Sequence, residues 1–300
     1  MMQNVDTGVV VKAYNSYYYV KGSSDELVAC KIRGRFKKEK FSLLVGDRVE
    51  FSLPANKDAE GTIEKILPRK NSLLRPAVAN VDQIVLVFSV KSPDLNLSLL
   101  DRVLVTLEQR AVPIIICFSK VDLLADVNDI KEISDLYQNI GYEVHLLSKL
   151  SEQGLDELKD ILADKVTVFA GLSGVGKSTL LNSLYPTLEL ATGAVSEKNN
   201  KGKHTTRFSQ LLPIDNGYIV DTPGFTFTDM TIFTERQVAE SFKEFLQYSP
   251  FCKFNTCLHM AEPHCKVKEA VSEGKIAQSR YDNYVEVIKE IIKAKERKNK

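Results

Sequence analysis

Between Thr7 and about Leu67 apolar and polar residues interleave in short runs, and after Pro68 the chain changes to solid apolar blocks separated by helical patterns. The early segments VVVKAYNSYYYV, ELVACKIRG, DRVEFSLP and GTIEKIL are each strand-sized. Around Val49 and Phe51 the apolar positions alternate with Arg48 and Glu50, the spacing of a strand with one wet face. Gly22, Gly34, Gly46 and Gly61 punctuate the stretch. This rhythm predicts a small β-barrel, either an OB-fold or an SH3-like barrel.

Beyond Pro68, IVLVFSV (84–90) precedes a helical pattern from Leu95 to Arg110, and IIICFSK (114–120) precedes one from Val127 to Ile140. VHLLS (144–148) is followed by Leu155 to Leu162, and VTVFAG (166–171) by Lys177 to Tyr185. Fully apolar strands alternating with amphipathic helices predict a parallel sheet covered on both faces, an α/β class. A further strand, YIVD (218–221), ends at a turn, and the remainder is helical in pattern around a cysteine cluster. The expected domains are a barrel over 1–70, an α/β domain over 71–235 and a helical region over 236–300.

Composition narrows the classes. With 300 residues and a formal charge of +1, the chain is not a uniformly basic nucleic-acid wrapper, although local basic patches remain possible. The longest apolar runs, Ile84 to Phe88 and Ile114 to Phe118, fall far short of the about 20 residues a bilayer span needs, so no membrane partner is expected. The start, MMQNVDTGVV, carries no basic leader or long apolar run. Five unevenly spaced cysteines do not make a secreted disulfide framework, and a reducing, cytoplasmic setting is expected.

The chemistry concentrates in a few motifs. Gly171-Leu172-Ser173-Gly174-Val175-Gly176-Lys177-Ser178-Thr179 has the form GxxxxGKS. Its glycines let backbone N–H groups turn inward around a polyphosphate, Lys177 would reach the β- and γ-phosphates, and Ser178 would sit on Mg²⁺. Composition alone would produce such a match in about one chain of this length in a hundred. Asp221-Thr222-Pro223-Gly224 follows a strand as a DxxG motif does, with Asp221 holding Mg²⁺ through water and the Gly224 N–H sensing the γ-phosphate.

Ser119-Lys120-Val121-Asp122 follows IIICF and resembles the guanine-reading [NT]KxD signature, since a carboxylate accepts both the N1–H and N2–H₂ donors of guanine. Ser119 departs from the usual Asn or Thr, keeping one hydrogen bond but losing the reach of an amide. Leu147-Ser148-Lys149 stands where a second, weaker base loop belongs. The base motif precedes the phosphate loop here, the reverse of the usual order. A parallel sheet tolerates this because the site depends on which strand ends meet. The pattern is that of a circularly permuted GTPase binding GTP and Mg²⁺.

Cys252-x4-Cys257-x-His259-x5-Cys265 supplies three thiolates and an imidazole, a closed tetrahedral set suited to structural Zn²⁺. His264 competes with His259, but it adjoins Cys265, and neighbouring residues rarely both reach one ion.

On SKVD (119–122), GLSGVGKST (171–179), GKHTTR (202–207), DTPGF (221–225) and the Cys/His cluster, the chain resembles the ribosome-small-subunit-dependent GTPase A family over nearly its whole length. The resemblance implies a barrel, a permuted GTPase and a zinc-binding helical region in that order. It further implies a monomer that associates with the small ribosomal subunit and assists or checks its late maturation. Where the standard template has a water-orienting glutamine after DxxG, this chain has Phe225, so unassisted hydrolysis is expected to be slow. The resemblance gives that role to His204 when the partner is bound, with Thr206, or else Thr205, as the switch hydroxyl on Mg²⁺. It also points to rRNA as the partner of the run KIRGRFKKEK (31–40), six basic residues to one acidic, and of the basic tail from Lys289 to Lys300.

Overall fold

The computed structural model describes residues 5–24, 26–33, 43–53, 60–74, 76–126, 128–190, 210–221 and 229–298. The chain falls into two compact units, Met1–Val87 with Leu147–Phe225, and Phe88–Leu146 with Thr226–Lys300.

The first unit opens with β1 (Val5–Tyr14), β2 (Tyr17–Lys21), β3 (Leu27–Ile32), β4 (Arg48–Ser52) and β5 (Gly61–Ile66). β1–β2 and β2–β3 pair antiparallel, β3 pairs parallel with β5, and β5 returns through β4 to β1, closing a five-stranded barrel. This strand order is that of an OB-fold and decides between the two barrels the sequence allowed. Val10, Val20, Cys30, Val49, Phe51 and Ile63 of these strands are buried together with Leu43 in its core.

The segment leaving the barrel is pinned to it. The buried Asp47 carboxylate accepts two hydrogen bonds from Arg69, at 2.6 and 2.7 Å, and one from the Leu44 N–H at 2.7 Å. Such a charge is tolerable inside because both carboxylate oxygens are hydrogen-bonded and the partner is a guanidinium. Gly46 sits at φ +89°, and a Cβ there would lie 2.1 Å from the Ala79 carbonyl oxygen. That close approach seats the hairpin of β6 (Ser72–Leu74) and β7 (Ala77–Ala79).

The same unit carries β8 (Gln83–Ser89) as far as Val87, then β11 (Val166–Ala170), β12 (Gln210–Ile214) and β13 (Gly217–Asp221). β11 lies between β8 and β13, parallel to both, while β12 and β13 form an antiparallel hairpin. Strands eighty residues apart in sequence are thus in register, with Val168 opposite Ile84. Helices α3 (Leu155–Leu162) and α4 (Lys177–Leu184) belong to this unit.

The second unit holds β9 (Ile114–Ser119) and its neighbour β10 (Glu143–Leu147), with α1 (Leu97–Glu108) and α2 (Asn128–Ile140). To these it adds α5 (Glu235–Ser241), α6 (Lys243–Leu246), α7 (Lys266–Ser272) and α8 (Gln278–Lys298). Asn96 caps α1, and Thr234 with Gln237 forms a capping box on α5. α1 to α4 begin and end within two residues of the sequence patterns. No described helix is long and apolar enough to cross a membrane.

The C-terminal helices share a core with α1, in which Val105 packs with Phe242, Phe245, Tyr284, Val287 and Ile291. At its edge lies Arg280, only 2% exposed. Its guanidinium pairs with Glu244 at 2.7 Å and with Asp101, and stacks 4.5 Å over the Phe242 ring. Tyr137 and Asn283 each donate to Asp101 at 2.6 Å. Removing one member of such a set leaves uncompensated buried charge. Asp101→Ala is expected to destabilise the protein by about 3–5 kcal/mol, read as a lower urea midpoint. A midpoint within error of the parent would show that the network contributes nothing to stability.

Candidate functional site

β11 is buried along almost its whole length and delivers the chain into the glycine loop. Gly171 has φ +141°, and a Cβ on it would stand 2.2 Å from the Val87 carbonyl oxygen, so no other residue fits beside β8. Gly174 and Gly176 also have positive φ, +81° and +96°. Gly176 is the left-handed cap of α4 and offers no side chain to its first N–H groups. Those donors and the helix dipole are therefore free to meet an anion. The buried Val175 anchors the loop from beneath, while Ser173 and Gly174 face solvent.

Lys177 is the first residue of α4, and its ammonium donates to the carbonyls of Gly171 at 2.9 Å and Leu172 at 2.6 Å. Burial holds its pKa below the ordinary lysine value. A desolvated cation held beside inward-turning amides is a strong attractor for phosphate. Ser178 and Thr179 follow, half-buried, on the same first turn. Asp221 ends β13, next to β11, and pairs in register with Gln210. Thr222, Pro223, Gly224 and Phe225 lie outside the described residues, as do His204, Thr205 and Thr206. Ser148 is fully buried and accepts the Ser151 N–H at 3.1 Å, closing its own turn.

In the second unit Ser119 ends β9, buried, with its hydroxyl donating to the Phe88 carbonyl at 3.4 Å. Lys120 adopts the left-handed conformation, φ +61°, and a 3₁₀ turn over Val121–Leu123 follows. Val121 is buried under this turn and Asp122 is exposed on it. The motif thus presents one carboxylate to solvent from a turn rooted in the sheet.

The same unit gathers Cys252, Cys257, His259 and Cys265, whose ligand atoms all lie within 4.8 Å of one another. His259 Nδ1 is 3.7 Å from the Cys252 sulfur and 3.3 Å from that of Cys265, and the two sulfurs are 3.9 Å apart. A tetrahedral ion with bonds of about 2.0–2.3 Å spans such edges, so the four residues could hold zinc and leave no open position. His264 is exposed, which agrees with the choice of His259. Burial pushes the Cys257 thiol up to about 12, raises that of Cys265 and lowers the imidazole of His259.

Sequence reasoning missed what supports this cluster. The Glu262 carboxylate accepts the N–H groups of Leu258, Met260 and Ala261, at 2.7, 2.8 and 3.1 Å. The hydroxyls of Tyr281 and Tyr284 on α8 donate to the carbonyls of His259 and Leu258, at 2.7 and 2.5 Å. A glutamate three residues past a candidate ligand was the only signal in the sequence. The basic run at 31–40 starts on a strand, as the segment ELVACKIRG suggested: Lys31 and Ile32 belong to β3, Lys31 pairs with Glu60 at 2.7 Å, and Arg33 pairs with Glu64 at 2.8 Å. Residues 34–40 lie outside the described residues.

An OB-like barrel, a phosphate loop on a parallel sheet and a base motif placed ahead of that loop define the class, a circularly permuted P-loop GTPase. Comparison with known proteins agrees. A family model described as RsgA GTPase matches residues 66–231, one described as RsgA N-terminal domain matches 7–63, and one described as 50S ribosome-binding GTPase matches 166–298. The chain is 44% identical over 285 residues to the small ribosomal subunit biogenesis GTPase RsgA of Clostridium perfringens, covering 95% of this chain and 98% of the relative. It superposes on the crystal structure of YloQ, a circularly permuted GTPase, with TM-score 0.82 at 39% identity, covering 97% and 96% of the two chains. With YjeQ from Thermotoga maritima the TM-score is 0.85 at 37% identity, covering 96% and 99%. The chain belongs to the RsgA GTPase family.

Protonated thiols must release protons to become ligands, so metal affinity rises with pH and is lost on acidification. Cys257→Ser is expected to abolish stoichiometric zinc in metal analysis and to lower the thermal midpoint by about 5 °C or more. One tightly held zinc per chain in that variant, with an unchanged midpoint, would refute the centre.

Proposed function

We propose that this protein is a cytoplasmic, monomeric GTP hydrolase that binds the small ribosomal subunit, assists or checks its late maturation, and is stimulated by it to hydrolyse GTP. The reading is carried by likeness along nearly the whole chain to proteins named for small-subunit biogenesis. The model described by 50S binding spans only 166–298, leaving out the barrel and the base motif, and carries less weight. The three stretches 1–70, 71–235 and 236–300 then act as an RNA-gripping barrel, a GTPase and a zinc-stabilised helical region.

In this reading the N–H groups of Gly171, Leu172, Ser173, Gly174, Val175 and Gly176 surround the phosphates, helped by Thr179. Lys177 exchanges its loop carbonyls for the β- and γ-phosphates. Ser178 and Thr206 supply hydroxyls to Mg²⁺, with Asp221 acting through water, Thr205 beside Thr206, and the Gly224 N–H on the γ-phosphate. Asp122 accepts from guanine, on a turn shaped by Ser119, Lys120 and Val121. Held by Ser178, Thr206 and Asp221, Mg²⁺ would supply positive charge to the phosphates, and the chain's own residues act by positioning. With Phe225 unable to orient water, His204 takes that role, which explains why hydrolysis waits for the partner. Structural Zn²⁺ on Cys252, Cys257, His259 and Cys265 holds the loop that joins the C-terminal helices. The barrel, the 31–40 run and the basic tail meet rRNA through salt-dependent contacts.

Purified protein should turn GTP over slowly, and small subunits should raise the rate by about tenfold or more. Lys177→Ala should remove the stimulated activity. Equal rates with and without subunits would reject the partner, and normal turnover in Lys177→Ala would reject the phosphate site.

A further inference from the structure

The loop following β8 is folded back on itself and onto the base motif. Ser89, the last residue of β8 and only 2% exposed, donates its hydroxyl to the Pro93 carbonyl at 2.7 Å. The Leu95 N–H returns to the Val90 carbonyl at 3.4 Å, closing the loop before Asn96 starts α1. Two bonds then join this loop to SKVD. The Val90 N–H donates to the Ser119 carbonyl at 3.0 Å, and the Lys120 ammonium donates to the Ser92 carbonyl. The Ser119 hydroxyl points the same way, to Phe88.

These bonds bear on the least comfortable residue of the motif. Lys120 has φ +61°, a conformation that residues with a Cβ adopt infrequently. Its carbonyl accepts the Leu123 N–H at 3.0 Å, which starts the 3₁₀ turn bearing Asp122. The usual signature has Asn or Thr where this chain has Ser119. Here the serine hydroxyl meets Phe88, and the 90–95 loop holds Lys120 through the Ser92 carbonyl.

We infer that Ser89 is a positioning residue for guanine recognition: its bond to Pro93 shapes the 90–95 loop, whose Ser92 carbonyl holds Lys120 and so fixes the turn that presents Asp122. The inference rests on the proposed guanine site. It assigns a role to a buried serine through its bond to Pro93. Inosine diphosphate lacks the 2-amino donor that a well-placed Asp122 carboxylate accepts, so the GDP/IDP affinity ratio reports on carboxylate placement rather than on folding.

The test is a double-mutant cycle on the full-length protein with fluorescent GDP and competing IDP. Ser89→Ala is expected to weaken GDP binding by about 3- to 10-fold and to narrow the GDP/IDP ratio. Ser89→Thr, which keeps the hydroxyl, should restore both. Lys120→Met should narrow the ratio too, and adding Ser89→Ala to it should change nothing further, because both act through one contact. Effects that multiply, or a Ser89→Ala protein with the parent's ratio, would overturn the proposal. Hydrogen exchange supplies a second arm independent of Ser89. Lys120→Met should deprotect the peptide covering 90–96, and unchanged protection there would equally overturn it. Asp122→Ala separates the two levels. A guanine preference that survives Asp122→Ala sinks the guanine site itself, whereas its loss beside an unaffected Ser89→Ala sinks only the positioning role.

Discussion

The distance between Gly171 and the Val87 carbonyl is the constraint on which the site depends. Parallel pairing of β8 and β11 brings the two backbones so close that a single added carbon would overlap an oxygen. The chain can leave β11 only through a positive-φ residue, and two more glycines of positive φ complete the turn into α4. That turn aims the first amides of the helix outward and places Lys177 at its mouth. None of this requires the strands to follow one another in sequence. β8 enters the sheet some eighty residues before β11, yet the register between them fixes the loop. Circular permutation is tolerated for that reason: the chemistry belongs to strand ends, not to chain order.

A second constraint governs the C-terminal helices. They are short apart from α8, and their core is completed by Val105 of α1 and closed by buried charge. Although burial works against its charge, Arg280 is held above the ordinary arginine pKa by Asp101 and Glu244. Cys252 and Cys265, at the two ends of the segment 252–265, join that core. The segment is held by a carboxylate collecting backbone N–H groups, two tyrosine hydroxyls on backbone carbonyls, and four residues able to share one metal ion. A loop without regular secondary structure, tied through backbone atoms, is where a structural ion contributes most.

The parallel strands were legible because they are uninterrupted apolar blocks, and the phosphate loop because its glycines are sterically obligatory. The Cys/His set was legible because thiolates and imidazole at that spacing have few other uses. The type of barrel was not, since an OB-fold and an SH3-like barrel share the same alternation and differ only in which strands pair. Arg280 and Asp101 would each pass for surface residues of amphipathic helices, because their partners are distant in sequence. Glu262, Tyr281 and Tyr284 act on backbone atoms, which leave no pattern in a sequence. Lys31 belonged to a recognisable basic run, yet its carboxylate partner, Glu60, arrives from another part of the barrel.

In the proposed function SKVD reads a guanine base through Asp122. That recognition is tested most directly by measuring GDP and xanthosine diphosphate binding to Asp122→Asn. Guanine offers two donors to a carboxylate, whereas xanthine presents an oxygen that an amide can satisfy. The account predicts that the substitution inverts the preference, with xanthosine diphosphate bound more tightly than GDP. A folded variant that still prefers GDP would contradict it.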